Sequence, residues 1–124
     1  MASNDYAVIV YYILSYLYHC LKAGASVELE TLELKKYPAM ATISESYMHY
    51  IYLHLVADGY ITGPQVGEVP VLNGKSVKVI RCLDRAEITP AGIEYLETNS
   101  TMKRALSVIK EAGGLLFAAI SAFK

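Results

Sequence analysis

Three histidines and two cysteines are the most reactive side chains of this chain, and their spacing limits the chemistry they could perform. A zinc site on a helix usually pairs two histidines four residues apart, because that spacing puts both imidazoles on one face. His49 and His54 are separated by five positions and therefore fall on different faces. Cys20 directly follows His19, and adjacent side chains on a helix point away from each other. The spacing predicts no catalytic residue, no metal site and no enzyme activity.

The glycine-containing segment 63–74 lacks the GxGxxG pattern and the phosphate-loop lysine of nucleotide-binding proteins. No cofactor is therefore expected. The 11 basic and 12 acidic residues nearly cancel, leaving a formal net charge of −1. The chain as a whole then has no electrostatic attraction for nucleic acid, so any such attraction must be local. A length of 124 residues with 54% hydrophobic positions predicts one core and a single domain over 1–124.

The apolar run 6–21 raises the question of a membrane span. A spanning helix needs roughly 20 mostly apolar residues, whereas this run is shorter and is interrupted by tyrosines, which favours a buried core helix. Asn4 and Asp5 stand where a secretory signal would carry basic residues. Cys20 and Cys82 lack CxxC spacing. These features predict a cytoplasmic protein with reduced, buried cysteines and no membrane contact.

Helix signals continue through the first third of the chain. The helix expected over 4–23 has apolar residues on every face, more than one core-facing stripe requires. We therefore expect part of its surface to meet another chain. A second, shorter helix over 27–36 should turn Leu29 and Leu32 inward, and Pro38 ends it.

The stretch 44–58 is predicted to be the helix around which the fold is organised. Ser44 can cap it, because a serine hydroxyl accepts hydrogen bonds from first-turn amides, and with helix 27–36 it forms a helix-turn-helix layout. Apolar residues at steps of three and four define its inward stripe. That stripe consists of Met48, Ile51, Tyr52 and Leu55. The opposite face carries Ser46, Tyr47, His49, Tyr50, Leu53 and His54. It holds no Lys or Arg, the side chains that most often contact guanine and phosphate.

The residues after this helix predict a short strand over 60–62 and then a β-hairpin. Asn73-Gly74 is the strongest hairpin turn signal in the chain, and it should join strands over 69–72 and 76–83. The local positive charge lies on this wing rather than on the helix. Its cations are Lys75, Lys78 and Arg81.

The last third of the chain predicts two more helices. Thr89 followed by Pro90 has the pattern of an N-cap and a first helical position, and a final helix should begin near Thr101. Small and large apolar residues alternate along that helix at steps of three and four, as in a helix–helix seam. The seam contains Met102, Ala105, Ile109, Ala112, Leu116, Ala119 and Phe123. The final helix either packs on its own first helix or, as we predict, helices 4–23 and 101–123 form a homodimer.

A family resemblance adds to these patterns. Residues 43–62 (ISESYMHYIYLHLVADGYIT), residues 88–96 (ITPAGIEYL) and the closing segment 103–112 resemble the YjcQ-like winged-helix family of small bacterial and phage proteins. The resemblance implies a winged helix-turn-helix with added terminal helices, without catalytic residues or a cofactor. It assigns no binding residues, since the family has no settled function. This sequence looks longer than its relatives over 25–43 and in the wing.

The expected fold is therefore mainly α with a small β-hairpin wing: a winged helix-turn-helix with additional N- and C-terminal helices. Two functions are compatible with it. One is a homodimeric, transcriptional-regulator-like module that binds double-stranded DNA. The other is a protein-interaction module that uses the Tyr/Leu/His face of helix 44–58 without binding DNA. The DNA- or partner-binding candidates are Ser46, Tyr47, His49, Tyr50, Leu53, His54, Lys35, Lys36, Lys75, Lys78 and Arg81.

Overall fold

The computed structural model describes residues 6–34 and 43–112. The helices within these ranges are α1 (Tyr6–Ala23), α2 (Leu29–Leu32), α3 (Glu45–Ala57), α4 (Pro90–Thr98) and α5 (Ser100–Ala112). The strands are β1 (Ile61–Thr62), β2 (Gln65–Pro70), β3 (Ser76–Arg81) and β4 (Glu87–Ile88). Short 3-10 turns occupy Leu72–Gly74 and Leu83–Arg85. The chain is mainly helical with a small antiparallel hairpin, which is compatible with a winged-helix-like fold carrying extra helices.

Helix α1 is the centre of the hydrophobic core. Every residue from Ala7 to Leu17 is buried, and Ile9, Ile13 and Leu14 are 0% exposed. Complete burial of each such side chain stabilises the fold by about 1.5–3 kcal/mol. Because α4, α5 and β4 all contact α1, its apolar faces are covered within one chain. The expectation that this part of the helix would need a second chain to cover it was therefore wrong.

Helix α2 is a single turn and differs from the predicted helix over 27–36. Leu32 is buried as expected, but Leu29 is 47% exposed and the prediction for it was wrong. One turn is too short to present an inward stripe, and two hydrogen bonds position it instead. The hydroxyl of Tyr52 donates to the carbonyl oxygen of Leu32, and the hydroxyl of Tyr16 accepts from the amide of Glu28 at 2.7 Å.

Helix α3 follows the sequence prediction closely. The side-chain oxygen of Ser44 accepts a hydrogen bond from the amide of Tyr47 at 3.1 Å and so caps the first turn. The helix ends at Ala57, and Gly59 takes a φ of 78°, a left-handed conformation that glycine adopts without steric cost. The whole predicted inward stripe is buried: Met48, Ile51, Tyr52 and Leu55.

Two small antiparallel pairings complete the fold. Strands β1 and β4 pair with Ile61 opposite Ile88. Strands β2 and β3 form the hairpin, in which Pro70 lies opposite Ser76 and Gln65 opposite Arg81. Asn73 and Gly74 both have positive φ values in its turn, as the Asn-Gly signal predicts. The hairpin is confirmed, although its first strand begins earlier than the predicted residue 69.

The C-terminal helices pack against α1 within the same chain. Thr89 caps α4 by accepting from the amide of Gly92 at 3.0 Å. Within α4, Leu96 is buried and Ile93 is half-buried. The first seam residues of α5 are buried: Met102, Ala105 and Ile109. The side chain of Ala112 and the seam beyond it lie outside the described residues. Over the described part, the final helix thus packs on its own first helix.

Gly92 offers a test of this packing. Alanine normally stabilises a helix relative to glycine by about 1 kcal/mol, but a Cβ at position 92 would collide with the carbonyl oxygen of Tyr60 and lie 2.8 Å from Cγ1 of Ile88. We expect Gly92→Ala to lower the free energy of unfolding by about 1–3 kcal/mol, because the backbone of Tyr60 cannot easily move away. Urea unfolding measures this change. The control is Ala91→Gly at the neighbouring exposed position, which should cost at most about 1 kcal/mol; a neutral or stabilising Gly92→Ala would contradict the packing.

Candidate functional site

A groove lies between the outer face of α3 and strand β3, and we call it the helix–wing groove. Its first part has a volume of about 430 Å³ and its second part about 300 Å³. Tyr50, Leu53 and Lys78 line both parts. The first part is also lined by Glu45, Ser46, His49, Val77 and Val79, and the second by His54, Ala57 and Val66. Six of the eleven predicted site residues line this groove, whereas Tyr47, Lys75 and Arg81 do not.

His49 joins the helix to the wing. Its Nδ1 accepts a hydrogen bond from the amide of Ile80 at 3.0 Å, so Nδ1 carries no proton in this arrangement. The imidazole is half-buried. His49 therefore fixes the hairpin against α3 through Nδ1.

The hydrogen-bond pattern of the hairpin shows which way the backbone of β3 faces. The amide of Val71 donates to the carbonyl oxygen of Lys75 at 2.9 Å, which makes this a hydrogen-bonded pair. Such pairs alternate along an antiparallel ladder. With the observed register, Ser76, Lys78 and Ile80 must then direct their amides and carbonyls away from β2. The bond from Ile80 to His49 agrees with that assignment.

The two outer edges of the hairpin differ. Strand β2 has Pro70 at an outward-facing position, and proline lacks the amide that a neighbouring strand would need. Strand β3 has outward-facing amides at Ser76 and Lys78, and within the described residues the hairpin sheet contains only β2 and β3.

The position of the groove follows from the side chains of β3. Val77 and Val79 point to the opposite face of the hairpin from Lys78, because successive side chains of a strand alternate, yet all three line the groove. The groove therefore runs along the outer edge of β3.

Tyr50 is the aromatic centre of the groove. It is 52% exposed, and three rings hold it in place. Tyr6 meets it edge-on at a centroid distance of 6.3 Å, Tyr47 lies at 6.4 Å and His54 at 4.4 Å. Burial, with a smaller contribution from the charge of Asp58, raises the pKa of Tyr6 to about 12. Tyr6 is therefore neutral near pH 7, and Tyr50 is an ordered, partly exposed anchor.

The predicted cations do not form one surface. Lys75, Lys78 and Arg81 are all exposed, but only Lys78 lines the groove. Arg81 lies on the opposite face of the hairpin, where a Cβ at Gly67 would sit 2.9 Å from its Nε. Lys35 and Lys36 lie outside the described residues.

Some groove residues were missed by sequence reasoning. Val66 and Val77 line the groove, and Tyr6, which is far from α3 in sequence, packs against the ring of Tyr50. The signal for Val77 was its alternation with Val79 along β3, which is normally a sign of a half-buried strand; Val66 has no apolar residue two positions away. Here Val66 is 52% and Val77 47% exposed.

The described residues also bear on three other features: a metal site, a disulfide and a membrane span. No group of three His, Cys, Asp or Glu side chains there could hold a metal ion. Cys20 is buried and Cys82 half-buried, and both are free thiols. No helix of the described ranges is long and apolar enough to cross a membrane.

Comparison with known protein families matches most of this chain to one of them. The profile of the YjcQ protein family matches residues 11–114, which include α2, α3, the hairpin and both C-terminal helices. The chain therefore belongs to the YjcQ family, and the resemblance seen in the sequence is confirmed. No curated protein and no solved structure matches the chain.

The link between α3 and the wing can be tested at His49. We expect His49→Ala to leave the amide of Ile80 without its acceptor, which costs about 1–2 kcal/mol of stability and speeds hydrogen exchange at that amide. Exchange measured by NMR reports the local effect, and urea unfolding reports the global one. The matched control is His54→Ala on the same helix, expected to change stability by less than about 0.5 kcal/mol. Equal exchange rates at Ile80 in both variants would show that His49 does not hold the wing.

Proposed function

We propose that this YjcQ-family chain is a protein-interaction module that binds an extended segment of a partner protein in the helix–wing groove. The segment adds to the outer edge of β3 as a further strand. The observation that carries the proposal is the outward-facing backbone at Ser76 and Lys78 along a groove whose other wall is α3.

The main-chain geometry supports strand addition. An exposed strand edge is a template for pairing with another chain, and natural proteins usually block such edges. Pro70 removes an amide from the edge of β2, whereas the outward backbone amides and carbonyls at Ser76 and Lys78 leave the edge of β3 able to donate and accept. Each hydrogen bond formed with a peptide contributes about 0.5–1.5 kcal/mol. Strand addition is a common mode of peptide recognition, with alternate side chains entering pockets.

The groove lining supports an apolar partner segment. Tyr50, Val66 and Val77 are each about half exposed, and they lie together along the groove. Clustered apolar exposure of this kind is typical of interaction sites. Tyrosine is also enriched among residues that dominate binding energy at interfaces, and the three rings around Tyr50 reduce the entropy that binding would cost.

Lys78 determines the charge of the expected partner. It lines both parts of the groove and is the one lysine or arginine among their lining residues. Because the other residues shared by both parts are Tyr50 and Leu53, a carboxylate brought by the partner would meet Lys78 beside an aromatic and an apolar side chain. The expected partner segment therefore has apolar residues at alternate positions and an acidic residue between them.

A capped heptapeptide with valine at alternate positions and a central glutamate is the probe for this proposal. We expect it to bind, to shift the amide resonances of Ser76 and Lys78, and to bind several-fold more tightly than the same peptide with a central lysine. Lys78→Gln should remove that difference between the peptides, since the charge complementarity is lost. Titrations followed by NMR measure both effects.

The variant Lys78→Pro separates the contribution of backbone hydrogen bonds to peptide binding from that of the Lys78 charge. Position 78 does not bond to β2, so proline there removes only an outward amide, as Pro70 does on the other strand. We expect Lys78→Pro to abolish binding of both peptides while the β2–β3 amide resonances persist, whereas Lys78→Gln keeps the backbone pairing. Peptide shifts that avoid residues 76–79 in the unmodified protein would overturn the proposal.

Duplex DNA binding by a homodimer is the second candidate, favoured by the exposed wing cations Lys75 and Lys78. If it holds, duplex affinity falls steeply with salt, and Lys75→Ala combined with Lys78→Ala lowers the slope of log K against log salt by about 2, roughly one per lost phosphate contact. Fluorescence anisotropy over a salt series measures this slope.

The control for DNA binding is Arg104→Ala with Lys110→Ala, two exposed cations of α5 outside the wing. Equal slopes for both double variants, or no duplex binding at low salt, would contradict this candidate. The homodimer requires a light-scattering mass twice that of one chain. A mass of one chain would leave the peptide-binding proposal intact, because the groove lies within a single protomer.

A further inference from the structure

A second cavity lies between α1, α4 and α5, and we call it the interhelical cavity. Its volume is about 420 Å³, within the range of small-molecule sites. None of its lining residues belongs to the helix–wing groove. It is lined by Tyr11, Ser15, Tyr18, Lys22, Leu96, Glu97, Met102, Lys103 and Leu106.

Ser15 is the unusual member of this lining. It is 7% exposed, and its Oγ has no hydrogen-bond partner among the described residues. An unsatisfied buried hydroxyl is unfavourable, and native proteins contain few of them. The neighbouring Tyr16 shows the usual arrangement, because its hydroxyl accepts from the amide of Glu28. Ser15 is thus a polar group on an otherwise apolar stretch of α1, at the wall of a cavity.

The rest of the cavity has an apolar floor and a basic rim. Met102 is 1% and Tyr11 5% exposed, and together with Leu96 they form the buried lining. Methionine adapts its shape to irregular apolar ligands. The exposed charged residues of the lining are Lys22, Glu97 and Lys103, so the rim carries a net charge of about +1 near pH 7. Lys22 also lies over the ring of Tyr18, 4.1 Å from its centroid.

We propose that the interhelical cavity binds a small carboxylate with an apolar body. The body packs against the floor, the carboxylate lies at the rim near Lys22 and Lys103, and a polar atom of the ligand is the hydrogen-bond partner of Ser15. This site is separate from the peptide groove and does not depend on the function proposed for it.

Octanoate is the probe, with 1-octanol as the uncharged control and octylammonium as the cationic one. We expect octanoate to bind most tightly and to shift resonances of α1, α4 and α5 around the cavity, measured by NMR titration. Lys103→Gln should weaken octanoate binding about two- to fivefold, the size of an exposed ion pair. Arg104→Gln is the matched control, because it removes a neighbouring exposed cation that does not line the cavity.

Ser15→Ala separates binding from folding. Removing an unsatisfied buried hydroxyl should leave the unfolding midpoint in urea unchanged or raise it, while the affinity for octanoate falls several-fold. A lower midpoint would show that Ser15 has a structural partner and would overturn its assigned role. Absence of octanoate binding, equal affinities for octanoate and octylammonium, or equal effects of Lys103→Gln and Arg104→Gln would overturn the carboxylate site.

Discussion

The burial of α1 inside a single chain is the constraint on which the rest of the structure depends. A helix that is apolar on all sides has no face for water, so other elements must cover each side. Helices α4 and α5 and strand β4 do so, and α3 joins the same core through its inward stripe. The order of the elements along the sequence is consistent with that requirement. The elements that cover α1 are mostly C-terminal to the wing, which leaves α3 and the hairpin free to present their outer surfaces together.

The hydrogen bond between His49 and the amide of Ile80 adds to apolar packing in positioning the wing. Ile80 is buried, and its amide faces away from β2, where it would lack a partner without His49. A buried amide without an acceptor is costly, so the imidazole and the register of the hairpin constrain each other. If the register shifted by one residue, Ile80 would turn to the other face and its outward amide would be replaced by an inward one. The open edge at Lys78 is a consequence of the same register.

Much of this arrangement could be predicted from the residues because it depends on local signals. The caps at Ser44 and Thr89, the Asn73-Gly74 turn and the inward stripe of α3 each need only a few neighbouring positions. The role of His49 could not be predicted in this way, since its partner lies 31 positions away. The prediction that Leu29 is buried was wrong for a related reason. Tertiary hydrogen bonds from Tyr16 and Tyr52 position α2, and the periodicity of the sequence carries no information about them. The groove and the interhelical cavity also arise only when distant elements meet.

The distribution of charge is the reason for proposing a protein partner rather than a nucleic acid for the outer face of α3. Phosphate recognition needs several cations on one surface, whereas the pleat of β3 sends Arg81 and Lys78 to opposite faces of the hairpin. A single lysine beside Tyr50 and Leu53 is better matched to one carboxylate on an otherwise apolar segment. The backbone edge at Ser76 and Lys78 supplies the remaining interactions, and these require a polypeptide because nucleic acid has no strand that can complete a β-ladder.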